Sequence, residues 1–300
     1  MNRKPYLSCL PLRHQGKVRD SFNGTTTPGT FLIVATNAIS THNVAHKSLV
    51  PDKGQLLNAL SIFWKLEALK DVRTHIVAFG WDIYKHLPKG RSYPDDLHLR
   101  AVVVKVLDMV PVEFIYRDRL AGSLYDKFYT KGLPNPYGIE LEQGLQLMHK
   151  FDTPIFTPTD KSETDEPLNS SDVALKYSEA TSITRNVYEL GFDYAKARGI
   201  DIIDTKEEGG YAEDGEFYLG DEWLNGDSSR FVASDAIIVG KMPPWQDKEI
   251  ARQWAIKHWA GGKKVPLEFP DVVLQQTSAA YHGIFEQLTG GTLEQFWKQL

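Results

Sequence analysis

The chain of 300 residues has a single cysteine, Cys9, and that scarcity excludes both an intramolecular disulfide framework and a cysteine-based zinc site. Such usage fits a reducing compartment. Long hydrophobic runs are missing too: the first thirty residues hold no apolar signal core, and no stretch approaches the ~20 apolar residues of a membrane helix. The expectation is a soluble, cytoplasmic protein with no membrane partner. An excess of positive charge is also absent, since 34 Lys+Arg stand against 39 Asp+Glu, a net charge of -5. That balance argues against a general nucleic-acid or membrane-surface binder, so an anionic ligand has to be met by a local cluster of cations. Internal repeats, low-complexity tracts and the P-loop signature are lacking as well.

What is present reads as α+β. "TFLIVAT" (30–36), "THIVAF" (74–79) and "LRAVVVKVL" (99–107) are β-branched runs and predict strands. In "QLLNALSIFWKLEAL" the apolar positions Leu56, Leu60, Phe63 and Leu66 follow the helical period, as do Ile183, Val187, Leu190, Tyr194 and Ala197, with Gly199 at a C-cap distance. The segment from about 132 to 172, rich in Pro, Asn, Ser and Thr, predicts an extended loop. "IDIID" and "EFYLGD" predict two strands joined by an "AEDG" turn, and a helical tail is expected from about 246 to 298. Strands first and helices later suggest two lobes, a mainly-β one over 1–110 and an α+β one over 111–300. The long tail favours a monomer.

Charge gathers where apolar runs stop. In "DIIDTKEEGG" these are Asp204, Lys206, Glu207 and Glu208, and in "EFYLGDEW" Asp221 and Glu222. An antiparallel turn brings Glu208 and Asp221 near each other, where two acids repel unless a cation lies between them. Mg2+ shared with substrate phosphates meets that need; a solvated strand end with an incidental Lys206 pair is the plainer alternative. In "HQGKVRD" a glycine flanked by Lys17 and Arg19 lets the backbone approach a phosphate, although a basic hairpin turn has the same composition. "RDRLAGSLYDKF" offers Arg117 and Arg119 at a strand end, a turn at Gly122, and Ser123 as the cap of a helix whose free N–H groups favour an anion. "DSSRF" adds Arg230, another fork-shaped donor. His42 and His46 in "THNVAHKS" lack a helix signal and a third ligand, and read as loop histidines.

Taken in order, "GKVRD", "LDMVPVEFIYRDRLAGS", "PIFTPTDKSETDEPLN", "IDIIDTKEEGG" and "LGDEWLNGDSSRF" resemble the SAICAR synthase family of purine biosynthesis, from about residue 12 to 290. The resemblance implies a two-lobed, ATP-binding α+β fold of antiparallel sheets with helices, related in layout to protein kinases and ATP-grasp enzymes, with its ATP-binding lobe first. It implies an amide-forming ligase that uses ATP and Mg2+ to join L-aspartate to the carboxylate of an aminoimidazole carboxylate ribonucleotide (CAIR). Carried over by position, Gly16, Lys17, Val18 and Arg19 match the phosphate-facing loop over ATP, and Met109 the backbone that meets adenine. Arg117, Ser123 and Arg230 match the surroundings of the substrate phosphate. Lys206, Glu208 and Asp221 match the triphosphate and magnesium end, with Lys206 and Asp165 as catalytic candidates, the latter on a mobile loop. The chain departs from the family where "NAISTHN" replaces a "DRISAFD" type of segment. Asn37 and Asn43 then stand for expected carboxylates and Ala38 for an arginine, which marks Asn37, Ser40 and Asn43 as a possible amine-site loop. Thr164 replaces an expected histidine. The alternatives are a paralogue using another amine or carboxylate, and a non-catalytic nucleotide-binding relative.

Overall fold

The β-branched run at 30–36 becomes the middle of a five-stranded antiparallel sheet. The computed structural model describes residues 4–133, 135–162 and 164–300, which group into two units: 1–63, 75–106 and 246–300, and 64–74 with 107–245. In the first, strands β1 (Leu12–Gln15), β2 (Arg19–Phe22) and β3 (Thr30–Ala35) form a meander. A hairpin of β4 (Ala38–Thr41) and β5 (Val44–Leu49) leads into helix α1 (Lys53–Leu66). Strand β6 (Ile76–Phe79), a short helix α2 (Leu97–Arg100) and strand β7 (Ala101–Lys105) complete the sheet in the order β1-β2-β3-β7-β6. Phe22, Leu32, Val34, Ala101 and Val103 alternate onto one face and pack with Ile83, Leu87 and Leu97.

The second unit is built on one long strand. After β8 (Asp108–Met109), β9 (Val112–Arg119), β10 (Lys150–Phe156) and β11 (Thr159–Asp160) come helices α3 (Ser170–Lys176) and α4 (Ser178–Lys196). Strand β12 (Ile200–Tyr211) then pairs antiparallel with β9, β8, β13 (Phe217–Gly220) and β14 (Ser229–Ala233). Ala180 and Tyr188 of α4 pack with Phe114, Tyr116, Phe156 and Phe217 of the sheet in a buried cluster. The segment 64–74 belongs here because Trp64 is buried and its Nε1 donates to the Leu224 carbonyl at 2.7 Å, while the Arg73 carbonyl accepts from Leu219 at 2.9 Å.

The tail returns to the first unit as α5 (Glu249–His258), α6 (Asp271–Thr289) and α7 (Leu293–Gln299). Between α5 and α6 the chain lies along β5. The Leu267 amide donates to His46 Nδ1 at 3.1 Å, the Lys47 amide to the Leu267 carbonyl at 3.0 Å, and the Phe269 amide to Ser48 Oγ at 2.8 Å. Burial holds the His46 ring below the usual histidine range, which suits a ring that accepts from an amide. The grouping therefore differs from a single division near residue 110. These hydrogen bonds, formed over more than two hundred residues of chain, have no local sequence signal.

The expected loop at 132–172 is a second difference, since it contains β10, β11 and the start of α3. Strand β10 lies at the sheet edge, where Pro154 costs no ladder bond that a central strand would need. Among the described residues, no helix is long and apolar enough to cross a membrane.

Candidate active site

Strand alternation explains how the charged residues of the second unit come together. Asp204, Lys206 and Glu208 occupy every second position of β12 and share one face, opposite Thr205 and Glu207. Glu113 and Arg117 do the same on β9. The register sets Asp204 against Arg117 and Lys206 against Ile115, so that Lys206 reaches Glu113 diagonally. One continuous charged surface results.

At one end, a single carboxylate oxygen holds two guanidinium groups. Asp204 Oδ2 accepts from Arg117 Nη1 at 2.5 Å and from Arg230 Nη1 at 2.6 Å. Arg117 also donates through Nε to Thr157 Oγ1 at 2.8 Å and through Nη2 to Ser123 Oγ at 3.3 Å, and it is only 3% exposed. Asp204 thus draws the two guanidinium groups to one point, and forked donors gathered in this way suit an anion. Gly122 makes room for this arrangement: it sits at φ +56, and a Cβ there would lie 2.7 Å from Arg230 Nη1. Ser123 does not play the expected capping part. Its own backbone is helical, its side chain makes no cap bond, and the π-helical turn Leu124–Tyr129 that follows is only 6 residues long. Ser123 serves as an acceptor for Arg117 instead.

At the other end, Lys206 Nζ donates to Glu113 Oε1 at 2.8 Å and pairs closely with Glu208 Oε1. Glu113 in turn accepts from Thr159 Oγ1 at 2.7 Å. Burial works against the ammonium, but Glu208, Glu113 and Asp221 outweigh it and hold Lys206 well above the ordinary lysine range. Lys206 is thus a permanent cation and not a base. Glu208 stands opposite Gly220, so Asp221 follows immediately after the end of β13. No group of three or more His, Cys, Asp or Glu side chains among the described residues is arranged to hold a metal alone. A carboxylate pair fits Mg2+ in the manner that shares its coordination with substrate phosphates. Glu208 Oε2 also pairs with Lys161 Nζ, a residue the motif reading passed over.

Glu207 belongs elsewhere. It points into the core, is 0% exposed, and receives only the Thr205 hydroxyl, at 2.9 Å on Oε1, while Oε2 has no hydrogen-bond partner. Burial first, with Glu222 and Glu208 adding to it, pushes its carboxyl well above the usual range.

Met109 lies on β8 with its partner Gly210, and the Val110 amide donates to the Gly209 carbonyl at 2.9 Å. A Cβ at Gly210 would come within 2.3 Å of the Asp108 carbonyl oxygen. The "GG" that ends the acidic run is therefore what lets the 108–110 backbone lie against β12. Asp165 has a left-handed backbone (φ 52) in a loop closed by Asp160, whose Oδ1 accepts from Ser162 at 3.0 Å and Glu166 at 2.9 Å. Thr164 shares a hydroxyl contact with Ser162 at 3.3 Å.

In the first unit, Gly16, Lys17, Val18 and Arg19 form the turn between β1 and β2, closed by the Gly16 amide donating to the Arg19 carbonyl at 2.8 Å. The "NAISTHN" residues fall into separate environments. Asn37 Oδ1 accepts from the Gly54 amide at 3.0 Å and from Arg100 Nη1 at 2.9 Å, tying β4 to the start of α1. Ser40 pairs with Ala45 inside the hairpin. Asn43 and His42, with φ 64 and 47, form its two-residue turn, and Asn43 Oδ1 accepts from Lys17 Nζ at 2.7 Å. The rings of His42 and His46 pack on Trp259, with centroids at 5.6 and 6.1 Å.

Comparison with known proteins places the chain in a family. The family model described as SAICAR synthetase matches residues 12–268. The phosphoribosylaminoimidazole-succinocarboxamide synthase of Salinispora tropica is 34% identical over 94% of this chain and 99% of its own length; that of Saccharomyces cerevisiae is 36% identical over 94% and 95%. A solved structure of the Saccharomyces cerevisiae SAICAR synthase, complexed with SAICAR, superposes with a TM-score of 0.83 at 33% identity, covering 97% of this chain and 98% of that one. With these matches over nearly its whole length, the chain belongs to the SAICAR synthetase family.

Proposed function

We propose that the protein is an ATP-dependent ligase of purine biosynthesis that joins L-aspartate to the carboxylate of CAIR, giving SAICAR, ADP and phosphate. The observation that carries this reading is the pair of guanidinium groups gathered on Asp204 beside the Gly122 turn. A ribonucleotide phosphate monoester is the anion that Arg117, Ser123 and Arg230 suit. A carboxylate is a poor acyl donor because its leaving group is oxide. Phosphorylation by ATP makes the leaving group phosphate, and the amine of aspartate then attacks the acyl carbon to form the amide.

For that chemistry the chain supplies cations and acids in two paired clusters. Lys206, held protonated by its three acids, neutralises charge on the transferring phosphoryl group. The Gly16–Arg19 turn, with Lys17 and Arg19, and the Met109 backbone are read as the ATP contacts. Glu208 with Asp221 would hold Mg2+, whose chemistry is to neutralise phosphate oxygens during transfer. Asp165 is the candidate to accept the proton that the aspartate ammonium gives up. Asn37 and Asn43 are each engaged in hydrogen bonds that hold the turn and its neighbours, which supports a structural role for "NAISTHN" and aspartate as the amine.

The test is a mass-spectrometric turnover assay with ATP, CAIR and a panel of amines. SAICAR formed with one ADP per product is the expected result. A product carrying a different amine would assign the paralogue reading, and no ADP release on mixing with CAIR and any amine would overturn the ligase.

A further inference from the structure

Glu208 is the acid the proposed function gives to Mg2+, yet both of its oxygens are already taken by ammonium groups, Oε1 by Lys206 and Oε2 by Lys161. The two lysines differ in what else holds them. Lys206 keeps a second acid, Glu113, at 2.8 Å, whereas among the described residues Lys161 pairs with Glu208 alone. A cation that enters at Glu208 therefore displaces Lys161 and leaves Lys206 fastened.

Charge counting points the same way. Mg2+ adds two positive charges beside the ammonium groups of Lys161 and Lys206, and releasing Lys161 removes one of them. Lys161 also belongs to a segment that is closed on itself. Asp160 Oδ1 accepts from the Ser162 and Glu166 amides, the Asp160 amide donates to the Glu166 carbonyl at 2.9 Å, and the Leu168 amide to the Pro158 carbonyl at 2.9 Å. Asp165 sits in that closed loop.

We propose that Lys161 is a positioning residue whose ammonium holds the place of the metal on Glu208 and is displaced when the metal enters, while the hydrogen bonds of Asp160 keep the surrounding segment closed. This rests on the assignment of Mg2+ to Glu208.

The experiment measures Mn2+·ADP binding by water-proton relaxation in the wild type, Lys161→Met and Glu208→Gln. Removing a competitor worth about 1 kcal/mol tightens Mn2+·ADP about fivefold in Lys161→Met. If Glu208→Gln weakens Mn2+·ADP while Lys161→Met leaves it unchanged or weaker, the exchange is overturned and the metal assignment stands. If Glu208→Gln has no effect on Mn2+·ADP, the metal assignment itself fails and takes this inference with it.

Discussion

Asp204→Asn tests the anion site most directly. The substitution keeps the size of the side chain and removes the one negative charge that Arg117 and Arg230 share at 2.5 and 2.6 Å. Arg117 is almost fully buried and Arg230 partly so, and the Asn oxygen still accepts one hydrogen bond from them. Breaking a buried, hydrogen-bonded pair by removing one partner costs about 3–5 kcal/mol, because the remaining charge is left in a poor solvent. For cooperative unfolding of 300 residues the unfolding entropy is about 0.6 kcal/mol/K, so the loss appears as a fall in Tm of about 5–8 °C. The same uncompensated charge makes the variant a better anion binder. Thermal unfolding by circular dichroism, with inorganic phosphate titrated from zero at constant ionic strength, should show a larger rise in Tm for Asp204→Asn than for the wild type. A loss below about 1 kcal/mol with equal phosphate responses would refute the reasoning, since it would mean the two guanidinium groups are adequately solvated without Asp204.

Arg117→Lys and Arg230→Lys each lose a forked donor and should raise KM for the ribonucleotide far more than KM for ATP in steady-state assays. Glu208→Gln should remove most ATP turnover with an unchanged circular dichroism spectrum; retained turnover at saturating magnesium would place the metal elsewhere. Asn37→Asp with Asn43→Asp is expected to preserve the fold, since Asn37 already faces Arg100, and to leave the ranking of amines by kcat/KM unchanged; a clear gain for aspartate would make the segment an amine site after all. Glu207→Gln should alter the pH dependence of stability. The folded carboxyl is held well above its unfolded range near 4.5, so the wild type binds a proton that the unfolded chain releases, and its stability falls as pH rises from about 4.5 toward the folded value. The glutamine variant lacks that slope, and urea melts at acid and neutral pH separate the two.

The residues of the site were legible where chemistry and periodicity coincide. The sequence marked Asp204, Lys206 and Glu208 as charges at the end of an apolar run and "RDRLAGS" as a turn with arginines; that the three share one face of β12, and that Arg117 meets Arg230 on Asp204, comes from the structure. Their partners were harder to read. Glu113, Thr157 and Lys161 reach the cluster across strand pairings set by register, which sequence spacing alone leaves open. Glu207 read as another strand-end acid because charge says nothing of direction, although its odd position relative to Lys206 and Glu208 already turned it toward the core. Strand β10 was missed because its proline and polar residues suit an edge, and the docking of the tail on β5 because hydrogen bonds over such distances leave no local trace.

That docking has a consequence for how the chain is made. The second unit is complete once residue 245 has left the ribosome, whereas the first still waits for 246–300 although its strands were synthesised at the beginning. Until those helices arrive, the β4–β5 hairpin lacks the hydrogen bonds from Leu267 and Phe269 and the rings that cover His46. The part made first thus matures last, and until then His46 Nδ1 and the Ser48 hydroxyl of that hairpin lack the partners the tail supplies.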